Sequence, residues 1–123
     1  ATAASDGPGV MVGLFQDPGS AGKDVVAYYT RALANRRVIV SRPTTDKVTA
    51  AGPFSSQVEH GNVHLCLPRG SGTSPWLEAF LAELESFPDG SHDDQVDACS
   101  GAYNALVQNP APQRGLITAW PAM

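Results

Sequence analysis

The stretch that decides the fold runs from Val10 to Ser41 and reads VMVGLFQDPGSAGKDVVAYYTRALANRRVIVS. Its first part, Val10 to Gln16, is a short apolar run between two glycine-containing turns and predicts a buried strand. Apolar residues then recur at helical spacing from Lys23 to Asn35, and β-branched residues from Arg37 to Ser41 predict a second strand that Pro43 ends. This order of strand, helix and strand predicts a parallel pair joined by a packed crossover helix.

The middle of the chain predicts a weaker helix and one more strand. Helical spacing covers Asp46 to His60, where Gly52 and Pro53 are expected to interrupt it. A turn then leads to a short apolar stretch, Val63 to Leu67, which predicts a third strand. Three strands and the helices around them predict an α/β fold with a mixed sheet flanked by helices.

A helix with a clear start follows the flexible loop after the third strand. Ser74 is a capping residue in front of Pro75, which suits the first helical position, and the FPDG turn ends the helix near Phe87. The apolar face expected on this helix consists of Trp76, Leu77, Phe80, Leu81 and Leu84.

The last predicted helix begins around His92 or Asp93 and ends near Val107. Four of its residues share one face and are expected to form a buried stripe: Val96, Cys99, Tyr103 and Leu106. The sequence beyond is rich in proline and lacks periodicity. Residues 1–108 are therefore expected to form one domain, and residues 109–123 a tail.

The composition suits one compact domain, because 123 residues with 42% hydrophobic content can build a modest core. No apolar run approaches the roughly 20 residues that cross a bilayer, and the first residues lack the pattern of a signal peptide. We therefore expect a soluble intracellular protein. Cys66 and Cys99 each lie within an apolar pattern and are expected to be buried thiols, neither disulfide-bonded nor bound to a metal.

The net charge of −4 has the wrong sign for a protein that holds DNA through its overall field. This objection weakens where several carboxylates gather around divalent cations, because the bound ions reverse the local charge and phosphate can approach. The composition therefore permits a nucleic-acid partner and does not identify one.

The segment HDDQVDA, His92 to Ala98, carries the sharpest chemical signal. Asp93 and Asp97 are four apart and share a helix face, whereas Asp94 points about 100° away from Asp93. Acidic residues at a helix start complement the helix dipole, which is a sufficient reason for one aspartate. Three close together repel one another, and a divalent cation is the usual compensation. The residues alone leave both interpretations open.

The segment QDPGSAGK, Gln16 to Lys23, places a glycine-containing turn after the first strand. A phosphate-binding P-loop would need a glycine and a hydroxyl where proline and aspartate stand, so that motif is not predicted. Asp17 is either a turn former or a second metal ligand that meets Asp93 and Asp94 across the sheet. Its position at the end of a strand is typical of ligand sites in open α/β sheets.

These segments together resemble the C-terminal nuclease region of phage terminase large subunits. The resemblance runs from DGPGV through QDPGSAGK and DKVTAAGPFSSQVEHGNVHL to PWLEAFLAELESFPDGSHDDQVDACSGAYNAL, and FPDGSHDDQVDA is its most specific part. It implies an RNase H-like fold in which clustered acids bind two Mg²⁺ or Mn²⁺ ions and cut concatemeric double-stranded DNA during genome packaging. The implied catalytic metal ligands are Asp17, Asp93 and Asp94, with Asp97 near the same ions.

The chain also departs from that family pattern. Relatives often carry an acid two positions before the residue that matches Asp17, where this chain has Phe15, and a basic residue where it has Ala50 and Ala51. In the family, a strand with its own catalytic aspartate precedes the segment that matches ATAASDGPG. We therefore expect a nuclease domain truncated at its N-terminus, with an incomplete sheet, weak metal binding and little or no nuclease activity alone.

Other polar residues have supporting roles in this hypothesis. His92 is expected to hydrogen-bond a ligating carboxylate. Lys23, Arg42 and Lys47 are candidates for contacts with DNA phosphate. The resemblance implies further partners, namely a terminase ATPase domain, the small terminase subunit and the portal, in the cytoplasm of the bacterial host and away from any membrane.

Two alternatives to a packaging nuclease stay open. One is another RNase H-like nuclease, such as a resolvase, which would use the same acids on other DNA. The other is a non-catalytic prophage remnant that keeps the fold for binding or assembly. Whatever the function, a sheet without its first strands would expose an edge or a face around Val10 to Phe15 or Val38 to Val40, which predicts a homo-oligomer of the fragment.

Overall fold

The computed structural model describes residues 2–67, 69–70, 72 and 74–110. Within them the elements are, in order, α1 (Thr2–Ser5), β1 (Val12–Phe15), α2 (Ser20–Ala32), β2 (Val38–Ser41), α3 (Lys47–Glu59), α4 (Pro75–Ser86) and α5 (Asp94–Gln108). Of the described helices, none has the length and apolar character needed to cross a membrane. The end of α5 lies close to the expected domain boundary, and most of the expected tail, residues 111–123, lies outside the described residues.

The predicted parallel pair of strands is confirmed. β1 and β2 pair in a register that places Val12 beside Val38 and Phe15 beside Ser41. The pairing continues one residue further, because the backbone N–H of Gln16 donates to the carbonyl of Ser41 at 2.9 Å. Both strands therefore end at the same edge of the sheet, and the residues that follow them leave from that edge.

The predicted third strand is wrong. Val63 to Leu67 carry no strand structure, so in the described residues the sheet is two-stranded and parallel, not mixed. A short apolar run becomes a strand only where a neighbouring edge pairs with it, and Leu65 here is exposed instead. The same feature makes the prediction of a buried Cys66 wrong, since this thiol is exposed.

Cys99 is half-buried, and both cysteines are free thiols. Burial, followed by the negative charge of Glu83, raises the pKa of the Cys99 thiol.

The helix expected to be interrupted, α3, is continuous from Lys47 to Glu59 although Pro53 lies inside it. Asp46 caps its start, accepting the backbone N–H of Thr49 at 2.9 Å and the Thr49 hydroxyl at 2.7 Å. These two hydrogen bonds lower the pKa of Asp46. A proline inside a helix removes one backbone donor, so other contacts must offset that loss.

The packing of α5 against α3 supplies such contacts. The side-chain amide of Asn104 donates to the Ala50 carbonyl at 3.1 Å, and the rings of Phe54 and Tyr103 lie with centroids 6.3 Å apart at an interplanar angle of 49°. Ala51 of α3 is also buried. Tertiary contacts thus stabilise a helix that the sequence alone presents as weak.

The buried stripe predicted for α5 is confirmed at its start and wrong at its end. Val96 is 3% exposed, whereas Leu106 is 60% exposed. The crossover helix α2 is also less packed than expected. Its Val26 is buried, but Val25 and Tyr29 are about half exposed. These side chains therefore stay about half exposed or more within the small described core.

A close approach between α5 and β1 depends on Gly101. A Cβ at this position would collide with the tip of the Phe15 ring. The missing side chain therefore lets the ring lie against α5. Asp97 of α5 lines the same cavity as Ser41 and Arg42, so the first turn of α5 lies near the edge where β1 and β2 end.

Candidate functional site

Three aspartates surround the start of α5, as the sequence predicted. Asp93 is the N-cap residue, and Asp94 and Asp97 lie in the first turn. The backbone carbonyl of Asp93 accepts the N–H of Asp97 at 2.9 Å, but its side chain makes no capping hydrogen bond. The Asp93 carboxylate therefore contacts another group.

The capping role belongs to Glu83, a buried residue of α4. Its carboxylate accepts the backbone N–H groups of Gln95 at 2.5 Å and Val96 at 3.1 Å, and the Gln95 side-chain amide at 2.9 Å. Burial raises the pKa of Glu83, but these three hydrogen bonds outweigh it and the net pKa is lowered. A charged Glu83 thus holds the first turn of α5 and leaves the Asp93 carboxylate available.

The Asp93 and Asp97 carboxylates meet at the ammonium group of Lys47. Lys47 Nζ lies 2.6 Å from Asp93 Oδ2 and 3.0 Å from Asp97 Oδ2. The hydrogen bonds to Asp93 and then to Asp97 raise the pKa of Lys47 well above its ordinary range. The Lys47 side chain is 56% exposed, and those of Asp93 and Asp97 are 30% and 33% exposed. Solvent therefore reaches all three charges.

This arrangement fits a divalent cation in its donor chemistry. Two carboxylate oxygens converge on one position, and carboxylate oxygens are the ligands that Mg²⁺ and Mn²⁺ prefer. One turn further along the same helix, Ser100 Oγ is buried and has no hydrogen-bond partner among the described residues. In that part of the chain, however, no three histidine, cysteine, aspartate or glutamate groups lie together as a complete ion-binding set.

A cleft of about 510 Å³ opens beside Lys47 and Asp97. It lies between the end of β2, the start of α3 and the inner face of α5. Its polar lining includes Arg42, Lys47, Asp97, Ser100 and Asn104. Acidic, basic and neutral hydrogen-bonding groups therefore border one open space large enough for a segment of an extended ligand.

Asp17 follows β1 at the edge where both strands end. Gly19, with φ +102°, adopts a backbone conformation that only glycine reaches easily, and Gly22 is buried against the backbone of Asp17, where a Cβ would collide with its carbonyl. The glycines of QDPGSAGK thus form a tight turn into α2. On the same edge, Arg42 Nε donates to Gln16 Oε1 at 3.3 Å.

Within the described residues, no hydrogen bond or ion pair joins the predicted site residues other than Lys47 to the Asp93 and Asp97 carboxylates. His92 is exposed and, within the described residues, makes no hydrogen bond with a carboxylate. Lys23 is exposed on α2, and Asp94 is exposed on α5. The structure therefore brings together Asp93, Asp97 and Lys47, while the joint ligation by Asp17, Asp93 and Asp94 stays a prediction.

Sequence reasoning missed the capping carboxylate and the ion pair. Glu83 lies one turn after the buried Phe80 on α4, and an acid on an apolar helix face is a signal that it has a polar partner. No signal in the sequence links Lys47 to Asp93, because they are 46 residues apart. Only the packing of α3 against α5 brings them together.

The fold and the site define an α/β domain that carries clustered carboxylates beside an open polar cleft. The family model of the terminase RNaseH-like domain, which compares sequences, matches residues 9–106. The chain belongs to this family, and its resemblance to the C-terminal nuclease domain of terminases is thereby confirmed. No curated protein and no solved structure matches the chain.

Proposed function

We propose that this chain is the nuclease part of a phage packaging terminase and takes part in metal-dependent cleavage of concatemeric double-stranded DNA. Family membership supports a nuclease-type function. The observation that carries the proposal further is the convergence of the Asp93 and Asp97 carboxylates on one cationic position at the start of α5. This position opens into the polar cleft, where a phosphodiester can approach it.

The proposed metal ligands are Asp17, Asp93 and Asp94, with Asp97 beside them. Asp93 and Asp97 supply the oxygens that already converge, and Glu83 keeps the helix turn that carries them in place. Mg²⁺ or Mn²⁺ bound there would supply Lewis-acid chemistry and charge neutralisation at the phosphate. Ser100, one turn along, lines the same cleft, and its buried hydroxyl has no hydrogen-bond partner among the described residues.

Cations around the cleft account for how a protein with net charge −4 would approach DNA. Arg42 and Lys47 line the cleft, and Lys23 lies on α2, which follows the turn after β1. Together with bound divalent ions they would give this face a locally positive character. His92 stays a proposed hydrogen-bond partner of a ligating carboxylate once an ion is bound.

The proposal extends to the partners expected of a packaging nuclease. These are a terminase ATPase domain, the small terminase subunit and the portal, in the cytoplasm of a bacterial host. Family membership supports them in general terms, because a terminase domain acts in a DNA-packaging complex.

The test combines DNA binding and cleavage. Fluorescence anisotropy would follow a labelled duplex with and without Mn²⁺, and a supercoiled plasmid would report nicking. We expect Mn²⁺ to strengthen duplex binding and to support slow nicking at most, because only two described carboxylates converge. Both effects should be lost in Asp93→Asn and Asp97→Asn and kept in the matched control Asp89→Asn, an exposed aspartate in the turn before α5.

The other outcomes separate the alternatives. Metal-dependent duplex binding with no nicking would favour a non-catalytic binding role. A preference for four-way junctions over linear duplex would favour a resolvase. Cleavage that persists in both aspartate variants would place the reaction elsewhere and contradict the proposal.

A further inference from the structure

Lys47 is the first residue of α3, and the structure fixes where its side chain starts. Asp46 caps the helix immediately before it. Further along, the Asn104 side chain holds the Ala50 carbonyl, so α3 lies in a set position against α5. The Lys47 backbone is therefore anchored to the helix that carries the aspartates, while its side chain remains 56% exposed and free to swing outward.

The Lys47 ammonium uses the same oxygen atoms that a metal ion would need. It lies 2.6 Å from Asp93 Oδ2 and 3.0 Å from Asp97 Oδ2. A divalent cation binds carboxylate oxygens at about 2.0–2.6 Å, so an ion held by both oxygens would fall close to the present position of Nζ. Two cations cannot occupy that space, and like charges a few ångströms apart repel each other.

We propose that Lys47 is a built-in counter-ion that holds the Asp93 and Asp97 carboxylates together without metal and is displaced when a divalent cation binds. This inference rests on the proposed function, because it requires that these carboxylates bind metal. The ammonium reduces the repulsion between the two acids and keeps their oxygens convergent. It also competes with the metal, so that the affinity for the ion is set partly by Lys47.

A purely structural role for the Lys47 ion pair would predict a different effect on metal affinity. If Lys47 only joined α3 to α5, its removal would lower stability and would leave the intrinsic metal affinity unchanged or reduced. As a competing cation, its removal lowers stability without metal and raises metal affinity. The two roles therefore differ in the sign of one measurable quantity.

The test is isothermal titration of the purified chain with Mn²⁺. Lys47→Met keeps an unbranched side chain and removes the charge, and we expect it to raise Mn²⁺ affinity by about three- to tenfold. Lys47→Arg keeps the charge and should stay within about twofold of the original protein. The control Arg31→Gln removes an exposed positive charge from the last turn of α2 and should leave the affinity unchanged.

Thermal unfolding provides the second readout and shows whether each variant is folded. Lys47→Met should melt below the original protein without metal, and added Mn²⁺ should raise its melting temperature by more than it raises that of the original. If Lys47→Met does not fold, Lys47→Gln takes its place at this exposed position.

The outcomes separate this inference from the proposed function. Mn²⁺ affinity that is unaffected by Asp93→Asn and Asp97→Asn would overturn the metal site itself. Affinity that falls in those variants but does not rise in Lys47→Met would overturn the role of Lys47 and leave the metal site standing. An equal rise in Lys47→Arg would also overturn it, because the positive charge would then not be the cause.

Discussion

The two halves of α5 differ sharply in their surroundings. The first half is held by a buried carboxylate from α4 and by a lysine from α3, and it contains Val96 and Ser100, which are 3% and 4% exposed. The second half exposes Leu106 and Val107, each at 60%. The candidate site lies on the half that contains the more deeply buried residues. Fixed carboxylates suit a metal site, since ligands must keep their geometry before an ion arrives.

The largest expected effect comes from removing the cap of the first half. Glu83→Ala leaves the partly buried amide of Gln95 and the buried amide of Val96 without their acceptor. We therefore expect the melting temperature to fall by about 8–15 °C. Circular dichroism during heating would measure it. Glu85→Ala is the matched control, because this acid on the same helix is exposed. Equal effects of the two variants would show that the Glu83 cap is not needed.

A matched pair of valines compares the halves directly. Val96→Ala should lower the free energy of unfolding by about 1–2 kcal/mol, because it removes buried methyl groups and leaves a cavity. Val107→Ala should change it by less than about 0.5 kcal/mol, as is usual for an exposed position. Urea unfolding would give both values. Similar losses at the two positions would mean that the second half is packed by contacts outside the described residues.

The first half should also be the more sensitive to acid. The pKa of Glu83 is lowered from its ordinary value of 4.5, so its contribution to stability is present above that pH and is lost as the pH falls through the lowered value. The melting temperature should therefore decline with acidification below about pH 4.5, and less steeply in Glu83→Gln. Parallel pH profiles for the two proteins would argue against a charged cap.

The exposed second half is expected to favour weak self-association. Leu106 borders an apolar groove of about 620 Å³ that also includes Leu14 of β1, and Phe15 and Val40 are exposed at 49% and 40%. Unpaired strand edges and apolar patches favour contact with another copy. Light scattering should show a mass that rises with concentration, and Leu106→Lys should reduce this rise. A monodisperse monomer at high concentration would contradict the expectation.

Much of the backbone arrangement could be predicted from the sequence because it depends on local patterns. The two strands of the parallel pair and the helix between them follow from two patterns. One is the glycine turn between Val10 and Lys23, and the other is the β-branched run before Pro43. The acids and the apolar spacing after His92 place the start of α5 to within two residues. These signals lie within a few residues of the structure that they specify.

The sequence patterns mislead, or say nothing, where contacts between residues distant in the sequence decide the structure. Val63 to Leu67 has the pattern of a strand but finds no edge to pair with in the described residues. Pro53 indicates a break in α3, and packing against α5 keeps the helix continuous. The ion pairs of Lys47 with Asp93 and Asp97 likewise join two segments that are distant in the sequence, and neither segment specifies them alone.

The central claim is that the start of α5 binds a divalent cation, and paramagnetic broadening by Mn²⁺ tests it most directly. In a two-dimensional ¹⁵N–¹H spectrum of the labelled chain, substoichiometric Mn²⁺ should first erase the backbone signals of residues 93–97 and of Lys47. The signals of residues 106–108 should persist, because Gln108 lies about 16 Å from Asp97 along a helix that rises 1.5 Å per residue. Broadening that is uniform along α5, or that begins at its second half, would contradict the account.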